Sequence, residues 1–172
     1  MEHPRPAALG GLDHVGLTVP DLDAAVDFYA RALGARQLYR MGPFDARELP
    51  RGADGRDWTD AHVNVPDARL RIAMLDLDGG ARLELLQYDR PVDRATTPPR
   101  NSDLGGHHIA FATTDLAGMV AHLAACGATP LAGPIEVDGH DTPLGHVAAQ
   151  RVHYVLDPWG NQLELISYPD GR

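Results

Sequence analysis

The sequence predicts an α+β chain made of two tandem βαβββ modules, and three observations predict it. A segment near the start recurs in the second half at one constant offset, and a hairpin-like segment recurs at another. Between them, strand-like and helix-like periodicities follow the same order in both halves.

Leu12 to Ala35, LDHVGLTVPDLDAAVDFYARALGA, aligns without gaps on Gly106 to Thr129, GHHIAFATTDLAGMVAHLAACGAT, at an offset of 94. His14 then falls on His108, and Asp21 on Asp115. Gly80 to Tyr88, GARLELLQY, aligns on Gly160 to Tyr168, GNQLELISY, at an offset of 80, so Glu84 falls on Glu164. The offsets 94 and 80 differ by 14 residues, the extra length of the first module's middle loop. Residues 1–90 are therefore read as the first module, 91–104 as a linker with several Pro, Arg and Asp residues, and 105–172 as the second module.

Each module opens with a strand, Leu12 to Val19 and Gly106 to Thr113, followed by an aspartate in a helix N-cap position, Asp21 and Asp115. Leu22, Ala25, Val26, Tyr29 and Leu33 then follow helical spacing, as do Leu116, Met119, Val120 and Leu123. Gly34 and Gly127 stop these helices. Three strands complete each module: Arg36 to Met41, Arg69 to Leu77 and Arg82 to Tyr88, then Pro130 to Gly133, Arg151 to Leu156 and Gln162 to Tyr168. Asp78-Gly79-Gly80 and Asp157-Pro158-Trp159-Gly160 are turn sequences that tie the last two strands into a hairpin. The segments 42–67 and 135–150 read as polar loops placed to cover a substrate or to form plain surface.

Side chains alternate across a strand, so Val15, Leu17 and Val19 face the helix while His14, Gly16 and Thr18 face away. Ile109 and Phe111 likewise meet the second helix, and His108, Ala110 and Ala112 line the opposite face, where small neighbours leave room for a ligand. A bulge would turn His107 inward instead, but the alignment with His14 selects His108. Glu84 and Glu164 sit in apolar runs, LELL and LELI, that read as strands buried on both faces. A carboxylate buried there requires a cation or strong donors. Two repeated histidines on the ligand-facing side favour a metal, so His14, Glu84, His108 and Glu164 are the expected ligands of one divalent ion. Zn, Ni, Co, Fe and Mn all suit such a set. His62, His107, His140, His146 and His153 are read as structural.

All 15 basic residues are arginine, which removes lysine Schiff-base chemistry and a Walker-type lysine. A net charge of −9 opposes binding to nucleic acid, and no apolar run reaches membrane-spanning length. No signal-peptide pattern is apparent and the single cysteine, Cys126, is read as a small core residue, so a cytoplasmic location is expected.

The LDHVGLTVPDLDAAVDFYARALG segment, the GHHIAF strand and the DPWGNQLELI hairpin resemble the glyoxalase, or vicinal oxygen chelate, superfamily over Leu12 to Tyr168. The resemblance implies a cup-shaped mixed sheet holding a divalent metal on His14, Glu84, His108 and Glu164. It implies a small-molecule substrate and a homodimer, with the site built within one chain or from modules of two chains. Four ligands resemble the isomerase, epimerase and lyase branches; methylmalonyl-CoA epimerases usually carry glutamine at the position of Glu84.

Four protein ligands leave two positions on an octahedral ion, enough to chelate neighbouring oxygens of a substrate. Proton abstraction beside a carbonyl is the expected reaction, with Glu84 or Glu164, or both, as the base. An epimerase or isomerase is the first expectation. A glyoxalase I-like lactoylglutathione lyase, an extradiol-type dioxygenase and a non-catalytic binding or resistance protein are the alternatives.

Overall fold

The computed structural model describes residues 10–143 and 145–169, so the outermost residues of both predicted modules lie outside it. The chain divides into two compact units, Met1–Asp93 and Arg94–Arg172.

The first unit runs β1 (Val15–Thr18), α1 (Leu22–Leu33), β2 (Arg36–Asp45), α2 (Trp58–Ala61), β3 (Arg69–Asp76) and β4 (Arg82–Arg90). Its strands lie in the order β1-β4-β3-β2, with β1 parallel to β4 and the other pairs antiparallel. Asp21 caps α1 by accepting from the Asp23 and Ala24 amides at 3.0 Å, and Gly34 ends it at φ 69°. The buried stripe of α1 is Leu22, Ala25, Phe28, Tyr29 and Ala32. It is rotated from the expected one, leaving Val26 and Leu33 half-buried at its margin. Phe28 and Tyr29 pack edge to face with centroids 5.0 Å apart, and Leu17, Leu75, Leu83 and Leu85 are buried in the same unit. A second apolar cluster joins Leu70, Ile72, Phe44, Trp58, Leu86 and Tyr88.

The second unit runs β5 (His108–Ala112), α3 (Leu116–Cys126), β6 (Thr129–Pro130), β7 (Ile135–Val137), β8 (His140–Thr142), β9 (Gly145–Val147), β10 (Gln150–Leu156) and β11 (Gln162–Ser167). The order β5-β11-β10-β6 matches the first unit, with β7 also paired to β10 and β8-β9 forming a separate hairpin. Asp115 caps α3 on the Gly118 amide, and Gly127 ends it at φ 109°. Leu116, Leu123, Val155, Leu163 and Leu165 form its buried centre.

Four expectations about elements need correction. The opening strands start at Val15 and His108 rather than Leu12 and Gly106, because each pairs only with the last strand of its unit, beginning at Val15 with Leu83 and His108 with Gln162. Of the expected strand Pro130 to Gly133 only Pro130 is paired, in β6, and the chain returns to the sheet as β7 only after Pro134, which has no amide hydrogen to continue the ladder. The expected loop 42–67 is shortened because β2 continues to Asp45, and it contains α2, capped by the buried Asp57. The expected loop 135–150 carries β7, β8 and β9.

The closing hairpins form where the turn sequences stand. Gly79 and Gly80 both have positive φ, 89° and 85°, and Leu77 N–H donates to Ala81 O. In the second unit the buried Asp157 carboxylate accepts from the amides of Trp159 and Asn161 and from the Asn161 side chain. That arrangement fixes where β11 turns back along β10.

Candidate functional site

His14 stands immediately before β1 and Glu84 on the neighbouring β4, their Nε2 and Oε2 atoms 3.7 Å apart. The Asp13 carboxylate lies 2.8 Å from His14 Nδ1. The bond to His14 holds the Asp13 carboxyl below the usual aspartate range, with the Arg82 guanidinium contributing. An ionised carboxylate only accepts, so the hydrogen on Nδ1 points to Asp13 and the ring presents Nε2 toward Glu84. A carboxylate on the far ring nitrogen is the partner that orients a metal-ligating imidazole. Gly16 pairs in register with Glu84, and a Cβ added there would lie 3.8 Å from Glu84 Oε2.

His108 begins β5 and Glu164 lies on β11, with Nε2 and Oε2 only 2.7 Å apart. Asn101 Nδ2 lies 3.4 Å from His108 Nδ1. Glu164 sits opposite Tyr154 in the antiparallel β10-β11 pair. Burial first, then the nearby Glu164 carboxylate, push the Tyr154 phenol above its ordinary range. The Tyr154 ring also meets His108 edge to face, with centroids 5.7 Å apart.

The structure thus brings the four predicted residues together as two pairs, one in each unit. Among the described residues no group of three or more His, Cys, Asp or Glu side chains that could hold an ion is found, so each unit presents half of the expected set. The strand face choice falls on His108: His107 instead lies with Nδ1 3.2 Å from the Gly105 carbonyl. The expectation that both glutamate strands are buried on both faces holds better for β11 than for β4. The Glu164 side chain is 10% exposed, but that of Glu84 is 25% exposed, because β4 alternates buried Leu83 and Leu85 with half-buried neighbours.

Asp13, Asn101 and Tyr154 are absent from the set read off the sequence. Asp13 was legible as the neighbour of His14, whereas the other two carry no motif and depend on strand register and on a segment read as linker. The other histidines find local partners: His140 with the Asp138 carbonyl, His146 with Asp141 and His153 with the Leu131 carbonyl. Trp58 and His62 line a hollow of about 440 Å³ with Arg51, Asp54 and Arg56, and its two arginines are paired with Asp57 and Asp54.

Residues 13–145 match the model of the Glyoxalase/Bleomycin resistance protein/Dioxygenase superfamily. The chain belongs to this superfamily. It is 39% identical over 159 residues to a 2-epi-5-epi-valiolone epimerase from an Actinomyces species, covering 92% of this chain and 79% of that protein. Among solved structures, a glyoxalase family protein from Bacillus cereus superposes with a TM-score of 0.70 at 20% identity, over 95% of this chain and 99% of the other. The fosfomycin resistance protein FosX of Listeria monocytogenes, solved as a mutant with Mn(II) and 1S,2S-dihydroxypropylphosphonic acid, gives 0.52 at 18% identity, over 93% of each chain. The fold is therefore the glyoxalase fold, as the resemblance implies.

Within this superfamily chain the donor chemistry of the two pairs suits a divalent cation. Each pair offers an imidazole nitrogen and a carboxylate, the mixed set that first-row divalent metals accept. Among the described residues, the ion-pair partner of Glu84 is His14 and that of Glu164 is His108; no arginine pairs with either. A carboxylate as enclosed as Glu164 is well matched to a cation.

Proposed function

We propose that the chain is an epimerase that inverts a carbon next to a carbonyl in a small, oxygen-rich ketone, with His14, Glu84, His108 and Glu164 holding one divalent ion. The observation that carries this reading is the duplication itself: each unit presents one histidine and one glutamate at equivalent positions, so two carboxylates are available for one proton. The identity to an epimerase of 2-epi-5-epi-valiolone supports both the reaction and the substrate class.

A bound divalent ion supplies Lewis-acid stabilisation of negative charge on the substrate oxygen. The chain's own residues do the rest. One glutamate accepts the proton from the carbon beside the carbonyl, and the other returns a proton to the opposite face. Asp13 orients His14 so that its Nε2 can ligate, and the small residues Gly16 and Ala110 leave space in front of the two carboxylates. Leu70 and Ile72 of β3 and Leu86 of β4, with Trp58 of α2 packed on them, form an apolar cluster in the same sheet as Glu84.

The test is incubation with 2-epi-5-epi-valiolone in deuterium oxide, with metal content measured on protein purified without chelators. The reading expects about one equivalent of metal, an epimeric product and deuterium at the inverted carbon. Absence of metal, or product formed without exchange at that carbon, overturns it. Oxygen uptake with catechols, or conversion of the methylglyoxal and glutathione hemithioacetal, would instead place the chain among the dioxygenases or lyases.

A further inference from the structure

The two His/Glu pairs occupy equivalent positions in the repeat but do not have equivalent surroundings. Across the antiparallel pair, Glu164 faces Tyr154, whereas Glu84 faces Met74. Across the parallel pair, Glu164 faces Ala110, whereas Glu84 faces Gly16. His108 closes to 2.7 Å on Glu164, against 3.7 Å for His14 on Glu84.

We infer that Tyr154 is a positioning residue that anchors the Glu164 carboxylate and the His108 ring as one unit, a brace without a counterpart in the first unit. Two observations carry it: Tyr154 is the cross-strand partner of Glu164, and its ring edge meets the His108 imidazole at 87° with centroids 5.7 Å apart. A phenol is suited to this task because it donates one hydrogen bond at the end of a rigid side chain with only two rotatable bonds. Methionine at the equivalent place has no such donor, so Glu84 keeps more freedom to turn. Tyr88 stands on the Glu84 side and feels that carboxylate's charge, but it packs within the apolar cluster of the first unit.

The inference rests on the ligand set proposed above, and its test separates the two. Mn(II) affinity of the purified full chain is measured by electron paramagnetic resonance for the parent, Tyr154→Phe and Tyr88→Phe. Loss of a group that orients a ligand weakens metal binding by about tenfold or more. Tyr154→Phe is therefore expected to bind Mn(II) about tenfold more weakly, with Tyr88→Phe within about twofold of the parent. Adding Tyr154→Phe to Glu164→Gln is expected to change the affinity no further, since the residue acts through that carboxylate. Circular dichroism and thermal melting report whether each variant is folded.

If the parent chain binds no Mn(II), the ligand set itself fails. If the parent binds and Tyr154→Phe binds equally well, the ligand set stands and the brace is wrong. A further loss in the Glu164→Gln background also overturns it, because a role through Glu164 predicts none.

Discussion

Gly16 and Glu84 lie side by side across the parallel β1-β4 pair, close enough that a Cβ on Gly16 would stand 3.8 Å from Glu84 Oε2 and 3.5 Å from Leu86 Cδ1. Both distances are ordinary van der Waals contacts, so alanine fits and stability should change by no more than about 0.5 kcal/mol. A larger side chain would occupy the space in front of the carboxylate. Gly16→Ala is expected to melt like the parent and to keep most of its activity, while Gly16→Leu is expected to lose turnover. Equal kcat/KM in the two variants would show that no substrate passes over this position.

Removing a ligand should weaken metal binding at least as much as removing a group that orients one, about 10- to 100-fold. His108→Ala and Glu164→Gln are expected to emerge from chelator-free purification depleted of metal, as read by elemental analysis. His140→Ala, whose ring contacts the Asp138 carbonyl, should retain the parental content.

The turn at Asp157 holds β11 in register, and its buried carboxylate serves two amides and the Asn161 side chain. Asp157→Ala removes the acceptor that those donors share, at a cost of about 1–3 kcal/mol in chemical denaturation. Since Glu164 lies on the same strand, metal affinity should fall together with stability.

The packing between helix and sheet gives a separate check. Leu85 is fully buried, and Leu85→Ala is expected to cost about 2–5 kcal/mol from lost burial and the cavity left behind. An unchanged denaturation midpoint would contradict the described core.

Acid should weaken the segment capped by Asp57. The Thr59 hydroxyl first, then backbone amides and Arg51, hold its carboxyl below the usual aspartate range. A carboxyl lowered by folding stabilises fully above the ordinary unfolded value, and that contribution is lost as pH falls toward the folded one. The melting temperature should therefore drop as pH is lowered below about 4, and less steeply in Asp57→Asn.

Much of this molecule was legible before any coordinates. The caps at Asp21 and Asp115, the stops at Gly34 and Gly127 and the turns at Asp78 and Asp157 are local chemistry, settled within a few residues along the chain. The repeat placed His14 with Glu84 and His108 with Glu164, because strand alternation fixes which side chains share a face once the strands are named. Less legible were the middle segments: short strands such as β7, β8 and β9 form only where a neighbouring strand offers free backbone groups, a matter of pairing rather than propensity.

By itself, then, the sequence determined the two repeated modules, the order of their principal elements and the equivalent His and Glu positions in each. Only the tertiary structure decided that Asp13 orients His14, that Asn101 reaches His108 from a segment read as linker, and that Tyr154 rather than a methionine lies across from Glu164. The physical reason is register. A strand's own pattern tells which face a side chain takes, but its neighbour on that face is set by where the partner strand begins, and that depends on contacts between segments distant in the chain.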